Sequence, residues 1–367
     1  MLPDGCSIPE VPDSLPYRTE TLLRRSLLVR YPPGQGRIVL RTELDWDRDL
    51  EPVSVSADGT TSTFALEARQ PYLYFKACLR RDDGTLLWAV GRDRLVLMTH
   101  AGRRSVYPHF SGSEAGSFTS VLERDSALLG RKQFVRVYLP PGYHENTLQK
   151  YSVMYMQDGK NLFFPEEAFL GQEWHVDEAL GLLDATNAVD PVIVVGVHSG
   201  DRMREYTQPG YEAYGRSIVG EIKPEIDRRF RVFRSARETG VIGSSLGGVV
   251  SFYMAWQYPR VFAFAACMSS GFSHHDDLID RVLREPKCPA KFYLDSGWPH
   301  DNYEVTLAMA MALTQRGYRP RLDFLHFVFP LEQHDESAWG RRLHLPLQLT
   351  VGRTSTELRG RPAQAFR

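Results

Sequence analysis

The segment Gly243–Gly248, with the sequence GSSLGG, lies between two apolar runs. The first, Thr239 to Ile242, predicts a strand, and the second, Val249 to Gln257, predicts a helix. G-x-S-x-G in this setting is the pattern of a nucleophile elbow, a sharp strand-to-helix turn that lifts a serine hydroxyl above a sheet. The pattern therefore favours an α/β fold with Ser245 as a nucleophile, although the motif taken alone is also compatible with a glycine-rich helix start.

Charge and cysteine usage exclude several classes of protein. The 44 basic and 45 acidic residues nearly balance, and no basic run is long enough to follow a phosphate backbone, so we expect a small or neutral ligand and no nucleic acid. The cysteines lie far apart without C-x-x-C spacing, which argues against a disulfide framework and a zinc site. They are Cys6, Cys78, Cys267 and Cys288.

The chain begins without a charged region followed by an apolar stretch, and no window approaches the roughly 18 apolar residues that a membrane span needs. We expect a cytoplasmic protein without membrane association, or a secreted one if a signal peptide has been removed.

Two different patterns of hydrophobic residues divide the chain into two regions. Short segments between about residues 37 and 97 alternate apolar and polar residues and are separated by turn signals, which is typical of a small antiparallel sandwich. From about Phe118 onward, short apolar runs alternate with amphipathic stretches, of which Tyr214 to Phe230 is predicted to be one helix. This alternation predicts a mostly parallel, doubly wound sheet. The predicted layout is an all-β sandwich over residues 1–110, a linker over 111–117 and an α/β-hydrolase domain over 118–367.

A serine hydroxyl is hardly ionised at neutral pH, so a nucleophilic Ser245 needs a base. The α/β-hydrolase order of serine, acid and histidine indicates a histidine after the last strand, and His334 follows the apolar run Leu322 to Val328. The other histidines after the serine lie in strand or helix patterns or come too early; they are His274, His275, His326 and His344. His334 is therefore the predicted base.

The acid of such a site follows the penultimate strand. Asp295 directly ends the run Lys291 to Leu294, whereas Asp301 lies far enough out to turn toward the serine. The sequence favours Asp301, with Asp295 and then Glu304 as the alternatives.

An oxyanion hole needs two backbone donors, and the residue after the nucleophile, Leu246, supplies the first. The second comes from a loop after an earlier strand. The strand pattern Val153 to Met156 leads into Gly159 and Lys160, whose backbone can face the developing alkoxide, although a plain turn explains this segment equally well.

Four motifs resemble one known family. They are MQDGKNLF at Met156–Phe163, Arg202-x-x-Glu205-Tyr206-Thr207, the elbow around Ser245, and His334-Asp335-x-x-x-Trp339. Together they resemble the esterase branch of the α/β-hydrolases that includes enterochelin esterases, feruloyl esterases, S-formylglutathione hydrolase and mycolyltransferases. The resemblance covers residues 117–347, and the loop Gly297 to Asp301 is one residue longer than the family pattern.

The resemblance implies a nucleophile at Ser245, a base at His334 and a site that requires no cofactor or metal. It also suggests that Arg202, Arg204 and Glu205 lie near the substrate, with a structural ion pair as the alternative. Trp174 and Trp339 could form an aromatic wall for an aryl or sugar group, but core positions are favoured for both. In the predicted sandwich, the hairpin around Trp88 is similar to that of starch-binding modules, in which a tryptophan stacks on sugar.

The sequence thus predicts a serine hydrolase of a small-molecule carboxylic ester, with a siderophore trilactone favoured as substrate. A feruloyl or acetyl esterase on glycans is the alternative, and Trp88 would suit it. A non-catalytic carbohydrate-binding protein on the same fold is an alternative from another class. An acyltransferase is a further alternative, because an alcohol can intercept the same acyl-enzyme in place of water.

Overall fold

The computed structural model describes residues 20–99 and 104–352. The described residues divide into two compact units, the first ending at residue 112 and including 144–148, and the second formed by residues 113–143 and 149–352. Nothing in the sequence pattern indicated the return of 144–148 to the first unit.

Two antiparallel-rich sheets form the described part of the first unit. One has the strand order β4-β5-β1-β9 and the other β3-β2-β6-β7, with β8 also paired to β6. The strands are β1 (Leu23–Arg30), β2 (Arg37–Thr42), β3 (Asp45–Leu50), β4 (Ser54–Val55), β5 (Thr61–Ala68), β6 (Tyr72–Arg80), β7 (Leu86–Trp88), β8 (Arg94–Leu97) and β9 (Arg104–Val106). Their alternate apolar side chains, including Leu27, Phe64 and Phe75, pack into one core. The sequence-predicted β-sandwich is confirmed at the level of this all-β architecture.

Trp88 is 42% exposed at the end of β7. The guanidinium of Arg41 lies 5.2 Å from the Trp88 ring centroid, and the Trp46 ring lies 6.5 Å away. A sugar that stacked on Trp88 would have to share the ring with Arg41.

A sheet of mostly parallel strands forms the second unit, with the order β10-β12-β14-β13-β15-β16-β17-β18 and β11 paired to β12. The strands are β10 (Ser117–Phe118), β11 (Leu122–Ser126), β12 (Arg131–Leu139), β13 (Ser152–Met156), β14 (Val192–Val197), β15 (Thr239–Ser244), β16 (Phe264–Met268), β17 (Lys291–Trp298) and β18 (Phe324–Pro330). From β14 to β18 the neighbours in this order are parallel, while β10, β11 and β14 run antiparallel to β12.

Helices cover this sheet on both faces. They are α1 (Val176–Ala185), α2 (Arg202–Glu205), α3 (Gly210–Ser217), α4 (Lys223–Arg229), α5 (Leu246–Gln257), α6 (Leu278–Arg284), α7 (Tyr303–Gln315), α8 (Glu336–Arg342) and α9 (His344–Val351). In β13, Val153 and Tyr155 belong to one core, and Met154 and Met156 belong to the other. Strands buried on both faces explain why the sequence reads as continuous apolar runs, and the predicted α/β-hydrolase fold is confirmed.

Two elements differ from their sequence-based prediction. The sequence predicts that the strand ends before the polar residue Asp295, but β17 continues to Trp298. Asp295 and Ser296 are buried there, and the whole extension pairs with β18. The single helix expected over residues 214–230 is interrupted by a wide turn at Ile218–Ile222. Pro224 explains this change, because it has no amide hydrogen to continue the regular ladder.

Cys78, Cys267 and Cys288 are buried free thiols, and Cys6 lies outside the described residues. Among residues 20–99 and 104–352, no helix is both long and apolar enough to cross a bilayer.

Candidate active site

Ser245 occupies a strained turn between β15 and α5. Its backbone angles, φ 53° and ψ −124°, lie in a region that side-chain-bearing residues rarely adopt. The turn is held by the Ser245 amide, which donates to the Met268 carbonyl at 2.9 Å. A Cβ at Gly243 would lie 2.2 Å from the carbonyl oxygen of Gly247, so the close pass of strand and helix requires glycine. This is the geometry that the sequence motif predicts for a nucleophile elbow.

A continuous hydrogen-bond chain leads from the serine to a carboxylate. His334 Nε2 lies 3.0 Å from Ser245 Oγ, and His334 Nδ1 lies 2.7 Å from Asp301 Oδ1. The Asp301 side chain is fully enclosed, whereas the imidazole is about one-third exposed. The structure thus brings together the three residues that the sequence favoured for this role.

Several donors converge on Asp301. Besides His334, the Gly297 amide at 2.6 Å, the Asn302 amide at 2.7 Å and Ser269 Oγ at 2.6 Å donate to it. Burial acts to raise the pKa of Asp301, but these hydrogen bonds outweigh it and lower the pKa to about 2. Asp301 is therefore ionised at neutral pH and can stabilise a charged imidazole.

The other acids considered from the sequence have different surroundings. Asp295 lies inside β17, fully buried, and accepts from Arg342 Nη2 at 3.1 Å and from the Tyr293 hydroxyl at 2.7 Å. Glu304 is exposed in the first turn of α7.

Two backbone segments are suited to hold an oxyanion. Leu246 is the first residue of α5, so its amide has no acceptor within the helix. Gly159 follows β13 directly after Asp158, which has a left-handed backbone. A Cβ at Gly159 would lie 2.5 Å from the Gly196 carbonyl carbon, so this turn packs tightly on β14. A Cβ at Gly247 would meet Asp158 Oδ2 at 3.0 Å, which places the Gly159 turn beside the elbow.

A cleft of about 510 Å³ opens at Ser245. Its lining combines the hydrogen-bonded chain with polar groups from the loops after β16 and β17; the lining residues are Ser245, Leu246, Gly271, His274, His300, Asp301, Asn302 and His334. Sequence reasoning missed His300 and Asn302 and set His274 aside. These residues lie just beyond the carboxyl ends of parallel strands, where α/β proteins bind ligands. That position in the sequence could have identified them as candidates for the site.

The arginines expected near the substrate do not line this cleft in the described part of the chain. Arg202 Nε lies 3.0 Å from Asp158 Oδ1, and Arg204 is exposed. Glu205 is buried and forms a bidentate ion pair with Arg131. The structural alternative, ion pairs that shape this loop, matches the observed contacts.

The proposed aromatic wall is wrong. Trp174 is 1% exposed and Trp339 is 5% exposed, because both pack in the core against one face of the sheet. Their ring centroids are 5.8 Å apart, and the Trp339 ring meets His334 edge-on at 5.1 Å and 85°. Trp339 therefore supports the imidazole from within the protein and presents no wall to a substrate.

The fold and the elbow serine define an α/β-hydrolase. A model of the family described as "Putative esterase" matches residues 126–341, more than half of the chain. The chain belongs to this family.

Individual curated relatives match only part of the chain. The "Uncharacterized protein YbbA" of Bacillus subtilis (strain 168) is 29% identical over 39% of this chain and 58% of that protein. The chain spans little more than half the length of the first curated relatives that it matches.

Solved structures resemble the fold. A ferulic acid esterase from Anaeromyces mucronatus, in complex with ferulic acid, has a TM-score of 0.52 and 18% identity, over 65% of this chain and 92% of that one. The enterobactin esterase FES from Shigella flexneri, in the presence of enterobactin, has a TM-score of 0.52 and 15% identity, over 90% of this chain and 93% of that one. At these identities the likeness shows the fold.

Proposed function

We propose that the protein is a serine esterase that works through an acyl-enzyme formed at Ser245. The observation that carries the proposal is the unbroken contact from Ser245 Oγ through His334 to Asp301. A base within hydrogen-bond reach and an acid that orients it are what an unactivated hydroxyl needs.

Each group has a distinct role in this proposal. His334 Nε2 takes the proton as Ser245 Oγ attacks the ester carbonyl, and the Leu246 and Gly159 amides receive the oxyanion. His334 then gives the proton to the leaving alcohol. Water, deprotonated by His334, releases the acid from Ser245 in the second half of the cycle. Asp301 holds the Nδ1–H tautomer and stabilises the imidazolium at both stages.

For the substrate, we propose a siderophore trilactone of the enterobactin type. The likeness to the enterobactin esterase extends over 90% of this chain, whereas the likeness to the ferulic acid esterase extends over 65%. The cleft lining supplies imidazole and amide groups from His274, His300 and Asn302, which suits a ligand rich in hydrogen-bonding oxygens. A feruloyl or acetyl ester on a glycan is the second candidate, because the similar Anaeromyces mucronatus protein is a ferulic acid esterase.

A fluorophosphonate probe followed by peptide mapping tests the nucleophile without a choice of substrate. We expect the adduct at Ser245 and its loss in Ser245→Ala, while the neighbouring Ser244→Ala variant serves as the control for disturbance of the elbow. A well-folded wild-type protein that takes up no probe would contradict the proposal. Rates on enterobactin and on methyl ferulate then separate the two substrates, and faster cleavage of methyl ferulate would reverse the preference.

A further inference from the structure

Outside the cleft, the start of α1 brings an imidazole and two carboxylates together. Glu173 Oε1 and Glu178 Oε1 each lie 3.6 Å from His175 Nδ1. The three potential ligand atoms all lie within 4.8 Å of one another. Small side-chain rotations would bring them to the separations found around a single cation.

Glu173 is the unusual member of this group. It is 6% exposed, and its second oxygen, Oε2, is enclosed without a hydrogen-bond partner in the described part of the chain. Buried carboxylates in proteins are normally paired with a cation or bound to a metal. Glu173 therefore points to a ligand that would occupy this position.

The surrounding charge is also negative. Asp177 and Glu178 lie in the first turn of α1, and Glu173 precedes the helix. Acids in a first helical turn are expected from the helix dipole alone, which accounts for Asp177 and Glu178. It does not account for Glu173, which is buried and precedes the helix.

We infer that Glu173, His175 and Glu178 bind a divalent first-row cation of the Zn²⁺ type, with water completing its coordination. An imidazole ligand favours such a cation over Ca²⁺ and Mg²⁺, which take oxygen ligands. The cation neutralises the buried Glu173 carboxylate and fixes the backbone turn that begins α1.

This site lies on a segment that supports the candidate active site. The Trp174 amide donates to the Asn161 carbonyl at 2.8 Å, and the Val176 amide donates to the Leu162 carbonyl at 3.1 Å. These bonds join the segment to the turn that contains Gly159. Trp174 lies between Glu173 and His175 in the sequence. Its ring packs on Trp339, which contacts His334. The bound cation therefore stabilises the scaffold around the cleft and takes no part in the chemistry.

Zn²⁺ titration of the chelator-treated full chain, followed by calorimetry and by thermal unfolding, tests the inference. We expect one saturable Zn²⁺ site that raises the Tm. His175→Ala and Glu173→Gln should each weaken Zn²⁺ binding by about tenfold or more. Glu304→Gln, which removes an exposed carboxylate of α7 outside the cluster, should leave the affinity unchanged. Glu178→Gln changes an exposed side chain and keeps the test valid if Glu173→Gln does not fold.

Three results would overturn the inference. The first is no saturable Zn²⁺ binding by the wild type. The second is binding that His175→Ala and Glu178→Gln leave unchanged, which would place the ion elsewhere, for example at His274 and His275. The third is equal affinity for Ca²⁺ and Zn²⁺, which would exclude the imidazole as a ligand.

Discussion

Arg342 Nη2 donates to Asp295 Oδ1 at 3.1 Å, and both side chains are enclosed by the protein. The same guanidinium nitrogen donates to Ser269 Oγ at 2.9 Å, and Ser269 Oγ donates to Asp301 at 2.6 Å. The two aspartates considered as the acid are thus connected through Ser269 but face different partners. Asp295 pairs with the buried guanidinium of Arg342, and Asp301 contacts the imidazole of His334.

Exchange of each aspartate for asparagine separates these roles. Asp301→Asn should lower kcat by about 10⁴-fold with little change in KM, because the amide cannot hold the correct imidazole tautomer. Steady-state kinetics on any cleaved ester, with circular dichroism as the folding control, measures this effect. A larger loss in Asp295→Asn than in Asp301→Asn would contradict the assignment of Asp301.

Asp295→Asn should act on stability instead. We expect the free energy of unfolding to fall by roughly 3 kcal/mol, because the change leaves the Arg342 guanidinium as an unpaired buried charge. Urea unfolding measures the loss, and the double variant Asp295→Leu/Arg342→Met is the matched control, since removal of both charges should restore much of it. An additive loss in the double variant would show that the pair does not behave as a unit.

Acid should selectively remove the stabilisation that Asp301 provides. Its pKa is about 2 in the folded protein and near 3.8 in the unfolded chain, so its contribution is complete above about pH 3.8 and disappears as the pH falls toward 2. The lowered pKa corresponds to about 2 kcal/mol at neutral pH. The difference in unfolding free energy between wild type and Asp301→Asn should therefore be smaller at pH 3 than at pH 6; an unchanged difference would refute the lowered pKa.

A methyl group at Gly159 should disturb the Gly159 turn. Gly159→Ala places a Cβ 2.5 Å from the Gly196 backbone, so the turn must shift, and we expect kcat to fall by roughly a hundredfold. Gly181→Ala is the matched control, because nothing lies within 4 Å of its Cβ in the middle of α1. That change should leave kcat intact and stabilise the helix by about 1 kcal/mol. Normal activity in Gly159→Ala would contradict the proposal that the Gly159 amide binds the oxyanion.

Trp339 should influence catalysis through His334. Trp339→Ala removes the ring that meets the imidazole at 5.1 Å, so the imidazole gains freedom and kcat should fall more than KM rises. Trp339→Phe keeps an aromatic edge and should recover much of the rate. Phe252→Leu, in the core on the other face of the sheet, is the control for general destabilisation and should lower Tm without lowering kcat. If Trp339→Ala and Phe252→Leu lowered kcat equally, Trp339 would have no specific role in positioning His334.

The sequence by itself determined the parallel sheet, the elbow at Ser245 and the position of His334 after the last strand. These features depend on local rules: glycine where a Cβ cannot fit, apolar runs where both faces are buried, and fixed chain order in the fold. Only the tertiary structure decided which aspartate meets His334, because Asp295 and Asp301 follow the same strand and are separated by where pairing with β18 ends. It also decided that Trp174 and Trp339 are buried and that His300 and Asn302 line the cleft. Burial and contact depend on residues far apart in the chain, and no local pattern contains that information.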